Sequence, residues 1–134
     1  MNKQDIIDNS TQQIEASERQ AFSFLPIRSN LHLGIGPFTL SLAMGEGNYC
    51  SPRLGGITPE SYDLVEAAIL DGDGLMNVID IRSTFGLSVA KLCESFGLDG
   101  QEDYSTVMPY ITWDQVVTVA NTIDRHSPSA KDLI

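Results

Sequence analysis

Two runs of alternating apolar residues on either side of a glycine–proline pair place the strongest constraint on how this chain of 134 residues folds. In the longer run, small residues separate four apolar ones: Phe38, Leu40, Leu42 and Met44. Residues 31–35 alternate in the same way. A period of two puts the apolar side chains on one face of a strand. The sequence therefore predicts β-structure over residues 31–44, with a bend or bulge at Gly34, Gly36 and Pro37.

Local signals conflict in residues 62–70. Pro59, with Thr58 before it, is a good helix start, and the apolar residues that follow fit a helical stripe. In favour of a strand, residues 71–74 read Asp-Gly-Asp-Gly, which is typical of a hairpin turn, and residues 75–81 are strand-like. Local propensity leaves both alternatives open for this segment.

Helical patterns occur in three other places. Residues 10–21 tolerate a helix, and residues 85–96 have helical spacing followed by a glycine that suits a C-terminal cap. The clearest helix starts at Thr112, because Gln115 completes a capping box with it, and the pattern ends near Arg125 or His126. Residues 106–111 are predicted to form a short extended segment, which Pro109 confines to a sheet edge.

These patterns predict an α+β fold, in which a small antiparallel sheet of three to four strands has two or three helices on one face. We expect an N-terminal polar segment at residues 1–28 that is helical, the α+β domain at residues 29–126, and a tail at residues 127–134. Apolar runs fall short of the roughly 20 residues of a membrane span, and residues 1–20 lack the apolar core of a signal peptide. We therefore expect a cytoplasmic protein with reduced cysteines.

Acidic residues are concentrated in one part of the chain. The protein has 18 Asp and Glu against 8 Lys and Arg, a net charge of -10. Residues 54–124 contain 12 of the acids and 2 of the bases. An acidic field repels nucleic acid and attracts basic surfaces. We therefore expect a protein partner with a basic surface, no membrane partner, and no direct binding of nucleic acid, since the bases are scattered singly.

Candidate catalytic and metal-binding patterns are incomplete. The acidic turn at residues 71–74 cannot be a calcium loop, because Arg82 stands where the twelfth-position glutamate belongs. Two cysteines and two histidines have no zinc spacing. Cys50 as a nucleophile would need a base, and His32 on a neighbouring predicted strand leaves that meeting open, although a packed cysteine is favoured. We expect no cofactor, no metal and no enzymatic activity.

Three segments taken in order resemble a known group of proteins. They are a strand ending in the loop Gly-Asn-Tyr-Cys-Ser-Pro-Arg at residues 47–53, the segment 62–70 closed by Asp-Gly-Asp-Gly, and a C-terminal amphipathic helix. This order resembles that of small uncharacterised proteins encoded by bacteriophages and prophages, over residues 31–81 and more loosely 111–123. The resemblance implies a strand at residues 62–70 and a viral source. It carries no biochemical activity with it.

Charge and resemblance together predict a phage-encoded acidic inhibitor of a host defence or nucleic-acid-processing complex, of anti-CRISPR or anti-restriction type. It would block a basic groove or a subunit interface as a nucleic-acid mimic, with a few anchors supplying most of the binding energy. The candidate partner-binding residues are six acids and two aromatic anchors: Glu66, Asp71, Asp73, Asp99, Glu102, Asp103, Tyr104 and Tyr49.

Two alternatives stay open. One is a protein that binds a small ligand such as a signalling nucleotide, in a pocket between the sheet and the Cys50 loop where Arg53, Arg82 and His32 converge. The other is a phage accessory protein that forms a homodimer through its N-terminal helix.

Overall fold

The computed structural model describes residues 1–15, 28–45, 50–51, 59–72, 74–93 and 107–127. These residues form six strands: β1 (Thr11–Glu15), β2 (Arg28–Ile35), β3 (Phe38–Gly45), β4 (Leu64–Asp71), β5 (Gly74–Leu75) and β6 (Met108–Thr112). They also form four α-helices: α1 (Lys3–Asn9), α2 (Val78–Phe85), α3 (Leu87–Ala90) and α4 (Trp113–His126). The described residues also include a 3₁₀ turn at Pro59–Ser61.

All described strand pairs are antiparallel and belong to one sheet. The strands β1, β2, β3 and β4 follow one another as neighbours, and both β5 and β6 pair with the far edge of β4. The short β5 pairs with the end of β4, and β6 pairs with its beginning. The α+β prediction is confirmed, although the sheet is larger than the three to four strands expected.

The strands β2 and β3 confirm the alternation in residues 31–44. Leu31 lies opposite Leu42 and Leu33 opposite Leu40, and all four side chains are buried on one face. The predicted bend is a hairpin of two residues between Ile35 and Phe38, because these two residues form the last pair of the ladder.

Glycine is required at position 36 for two reasons. Its φ angle is +58°, and a Cβ atom there would lie 2.8 Å from the Cβ of Ser127. At Gly72 φ is +63°, but no atom lies within 4 Å of an added Cβ. We expect Gly36→Ala to lower the free energy of unfolding by about 2 kcal/mol and Gly72→Ala by about 1 kcal/mol, since strain alone acts at the second site.

Urea unfolding of the two glycine variants checks this difference. If Gly36→Ala and Gly72→Ala lower the free energy of unfolding equally, the end of α4 does not pack closely against the β2–β3 hairpin. Ser127 also holds the hairpin by a hydrogen bond, because its hydroxyl donates to the Ile35 carbonyl at 3.2 Å.

The segment 62–70 contains a strand, as the resemblance implies, and that strand is β4 (Leu64–Asp71). Val65, Ala67 and Ile69 are buried and alternate with half-buried residues along β4. Pairing with β3 on one side and with β5 and β6 on the other satisfies the backbone of the segment in a sheet. The helix signal before it produces only the 3₁₀ turn, because local propensity yields to tertiary pairing.

The helices lie on one face of the sheet, as predicted. The longest, α4, contacts β2, β4, α1 and α2. Its buried stripe includes Val116, Val119, Ala120 and Ile123. The capping box is confirmed: the Gln115 backbone N–H donates to the Thr112 hydroxyl at 3.1 Å, and the Thr112 N–H donates to the Gln115 side chain at 2.8 Å.

The helix predicted at residues 10–21 is wrong over its described part. The helix α1 comes earlier, and its capping box joins Asn2 and Asp5, which we did not recognise in the sequence. The following residues form β1, because pairing with β2 satisfies backbone groups that a weak helical preference would otherwise use. Consequently α1 packs on α4 and β2, and β1 is part of the same sheet as the strands after residue 28. Residues 16–21 of the predicted helix lie outside the described part.

The chain after β5 also differs from expectation. Residues 75–81 were predicted as a strand, but Asn77 caps α2 by accepting a hydrogen bond of 2.9 Å from the Asp80 N–H. Gly86, with φ of +101°, then separates α2 from α3. The helix predicted at residues 85–96 is therefore a four-residue turn of helix in its described part. In the described residues, no helix is long and apolar enough to cross a membrane.

Candidate partner-binding surface

The side of the sheet opposite the helices is the first feature that bears on function. The buried residues of β4 point toward the helices, so the residues between them point to the other side. These are Leu64, Glu66, Ala68 and Leu70, and each is half-buried. The register places Ser41 beside Ala68 and Ala43 beside Glu66. This side of the sheet is thus formed by small and apolar residues with one carboxylate among them.

The short strand β5 adds an exposed apolar residue to that side. Leu75 pairs with Leu70, so both side chains lie on the same side of the sheet. Leu75 is 55% exposed. An apolar side chain this exposed contributes little to the stability of the fold and is available for contact.

A β-bulge in β6 adds an exposed aromatic residue. Val65 pairs with Ile111 and Ala67 with Met108, which leaves two residues of β6 opposite Glu66 alone. The second of them is Tyr110, which has a φ angle of +51° and is 44% exposed. We name the set Leu64, Glu66, Ala68, Leu70, Leu75 and Tyr110 the β4 outer face.

Two of the eight predicted partner-binding residues lie in the described structure. Glu66 belongs to the β4 outer face, and Asp71 is the exposed last residue of the strand. The other six lie outside the described residues: Tyr49, Asp73, Asp99, Glu102, Asp103 and Tyr104. Sequence reasoning missed Leu75 and Tyr110, although Pro109 in a strand pattern is a signal for a bulge next to Tyr110.

Two exposed carboxylates frame an open depression at the end of β4. Asp71 and Asp80 line it, and its volume is about 370 Å³. The other lining residues come from β5 and α2: Gly74, Leu75, Met76 and Thr84. Leu75 therefore borders both this depression and the β4 outer face.

Two further carboxylates lie at the beginning of β4. The Trp113 indole N–H donates a buried hydrogen bond of 2.7 Å to the Tyr62 carbonyl. This bond brings together the chain at Asp63 and at Asp114, which directly follow the bonded residues and are exposed. The described acids thus occur at both ends of β4 and on helices, and they do not gather on one face.

The exposed acids of the described part are not neutralised by bases. No ion pair involves five of them: Asp63, Asp71, Asp80, Asp114 and Asp124. The negative charge of the sequence is therefore expressed at the surface in these places. Exposed unpaired carboxylates attract basic groups over a distance set by the ionic strength.

Of the three residues predicted to converge on a nucleotide, His32 and Arg82 do not come together, and Arg53 lies outside the described residues. His32 lies between the buried residues Leu31 and Leu33, so it points away from the helices. Arg82 is an exposed residue of α2, which lies on the helical side. Cys50 is fully buried. Among the residues that the structure describes, no three His, Cys, Asp or Glu side chains are grouped so that they could hold a metal ion.

No family model matches the chain, and no curated protein and no solved structure matches it either. The similarity to phage proteins over residues 31–81 stays a prediction. The functional argument therefore depends on the charges and the exposed side chains described above.

Proposed function

We propose that this protein is a phage-encoded acidic inhibitor that binds a protein of a host defence or nucleic-acid-processing complex. It acts stoichiometrically, by covering a basic groove or a subunit interface, as anti-CRISPR and anti-restriction proteins do. The observation that supports this most is the combination of unpaired carboxylates at both ends of β4 with an exposed Leu75 beside Asp71 and an exposed Tyr110 on the neighbouring strand β6.

The two kinds of residue have different parts in such binding. Carboxylates at the surface speed the encounter with a basic partner and orient it. Exposed Leu75 and Tyr110 supply apolar area that is buried on contact, and large side chains of this kind dominate the binding energy of protein interfaces.

The geometry favours a protein partner over a phosphorylated small molecule. The open depression is lined by Asp71 and Asp80, whose charges repel phosphate. His32 and Arg82 lie on opposite sides of the sheet and cannot hold one phosphate group between them.

A plating assay tests the proposal. The protein is expressed from a plasmid in isogenic bacterial strains that carry or lack one restriction or CRISPR system, and a phage sensitive to that system is plated on each strain. We expect expression to raise the plating efficiency at least about 100-fold in one defence-positive strain, since a stoichiometric inhibitor in excess over its target leaves little of the target free by mass action. The strain without the system serves as the control and should show no change.

A variant with Lys at positions 66, 71 and 80 provides the matched negative control. It changes three exposed or half-buried carboxylates and leaves the core untouched. Plating that is unchanged by the wild-type protein across restriction and CRISPR strains would contradict the proposed function.

A further inference from the structure

We infer that the open depression at the end of β4 receives an arginine or lysine side chain of the partner protein, with Asp71 and Asp80 as its acceptors and Leu75 as its apolar contact. This inference rests on the proposed function and names the point of contact and its chemistry. It predicts that the partner presents a basic residue at the interface and that this residue enters the depression.

The depression lies where the end of β4 meets the helix α2. Asp71 follows the buried Ile69 by two positions along the strand, so its side chain points to the helical side of the sheet. Asp80 and Thr84 lie four residues apart in α2 and therefore share one face of that helix. Strand and helix thus bring two aspartates to the same opening.

Both aspartates are available to a ligand. Their side chains are exposed, and within the described part of the chain no hydrogen bond or ion pair involves either carboxylate. At Asp80 it is the backbone N–H that forms a hydrogen bond, to the side chain of the cap residue Asn77. A cation that enters the depression therefore gains two acceptors, and no existing interaction of these carboxylates is broken.

Leu75 gives the depression an apolar wall. It is 55% exposed, which is the largest exposed fraction among the large apolar side chains of the described part. Carboxylates beside exposed apolar area fit a cation that carries a hydrocarbon stem. Arginine and lysine are built in this way, because their stems pack on apolar surface and their charged heads donate hydrogen bonds to carboxylates.

Other occupants fit the depression less well. Both aspartates repel an anion, and a wholly apolar group would bury their charges without compensation. A calcium ion takes about six to eight oxygen ligands, and the described residues offer no group of three metal-ligating side chains. A second copy of the chain is repelled, since each copy has a net charge of -10. The volume of about 370 Å³ is near the lower end of the range for ligand pockets, which suits a single side chain.

Site-specific crosslinking in cells tests the location of the contact. A benzophenone amino acid replaces Thr84, which lines the depression, or Thr118, which is exposed on α4 and does not line it. The cells are the defence-positive bacteria of the plating assay. We expect position 84 to form an adduct with one host protein, at a segment that contains Arg or Lys. Position 118 should form no adduct with that protein.

Two double variants test whether the carboxylates of the depression hold the partner. Asp71→Asn with Asp80→Asn removes both acceptors, whereas Asp63→Asn with Asp114→Asn removes the same charge at the other end of β4. Each pair includes one aspartate from the first turn of a helix, so the midpoints of thermal unfolding should agree. We expect the first pair to reduce the adduct from position 84 at least about tenfold and the second to leave it within about twofold.

The apolar contact is tested separately at Leu75. We expect Leu75→Ser to reduce the adduct from position 84 at least about threefold, because the stem of the basic side chain loses its contact. Leu87→Ser is the matched control, since Leu87 is 50% exposed and does not line the depression. An undiminished adduct from the Leu75→Ser variant would contradict the part assigned to Leu75.

The remaining outcomes overturn the inference. If position 84 gives no adduct, or an adduct that persists without the carboxylates of Asp71 and Asp80, the depression does not hold a basic side chain of the partner. Equal losses in the two double variants would show that total charge acts, and not this site. Adducts between two copies of the chain would show a dimer contact. None of these results changes plating with the wild-type protein, so the proposed function and this contact fail separately.

Discussion

Replacing Ile6 by alanine should lower the free energy of unfolding by about 3 kcal/mol, the usual cost of emptying a buried isoleucine site. Ile6 is 0% exposed and is the buried residue of α1, which contacts α4 and β2. The loss combines the removal of apolar area with the cavity left between helix and sheet. Urea unfolding followed by circular dichroism measures it.

The matched control for this variant is Ile79→Ala. Ile79 lies in α2, but it is 37% exposed, and its truncation should cost less than about 1 kcal/mol. If Ile6→Ala is as mild as the control, α1 does not belong to the domain. In that case a homodimer formed through this helix, with its apolar residues free for a second copy, becomes the better interpretation.

Truncating Trp113 to alanine should cost about 4 kcal/mol, within the range for large buried aromatic residues. The indole is 8% exposed, and its N–H is the hydrogen-bond partner of the buried Tyr62 carbonyl at 2.7 Å. Trp113 therefore joins the first turn of α4 to the chain that enters β4. We expect the alanine variant to lose both apolar area and this bond, and chemical unfolding measures the sum.

Two further variants separate the contributions of the Trp113 side chain to the free energy of unfolding. Trp113→Phe removes the N–H donor and leaves the Tyr62 carbonyl buried without it, which should cost about 2 kcal/mol. Lys3→Ala removes a charge that lies 4.9 Å from the centre of the Trp113 ring, which should cost less than about 1 kcal/mol. A larger effect of Lys3→Ala than of Trp113→Phe would contradict this account of the contact.

The sheet was predictable where side-chain alternation and burial agree. In β3 and in β2 from Leu31 onward, every second residue is apolar and faces the helices, so the period in the sequence is the period of the structure. The start of α4 was predictable for a local reason, because the capping box of Thr112 and Gln115 uses residues three apart.

The identity of other elements depends on long-range contacts and caps that the local sequence pattern does not reveal. Thr11–Glu15 forms a strand because it pairs with the edge strand β2, and each of its partners in β2 lies more than a dozen residues away in sequence. The helix α2 begins at a cap formed by Asn77, which a strand-like composition conceals. Tertiary pairing and caps thus decide segments whose own preference is weak.

The candidate surface was predictable only in part. The excess of acids led to Glu66 and Asp71, since charge is visible in composition. Leu75 and Tyr110 could not be selected in this way, because an apolar residue in a strand pattern is expected to be buried. Their exposure results from a β5 of only two residues and from the bulge in β6.

The most direct test of the central claim is the salt dependence of binding to a protein of the defence system that the plating assay identifies. Association rates of the two purified proteins are measured by stopped-flow fluorescence from about 50 to 300 mM salt, a range over which the screening length falls by about half or more. We predict that the rate falls at least about tenfold for the wild-type protein. The fall should be clearly smaller for the variant with Lys at positions 66, 71 and 80. Rates that do not change with salt, for either protein, would contradict the claim that the exposed carboxylates of the described part guide a basic partner to this protein.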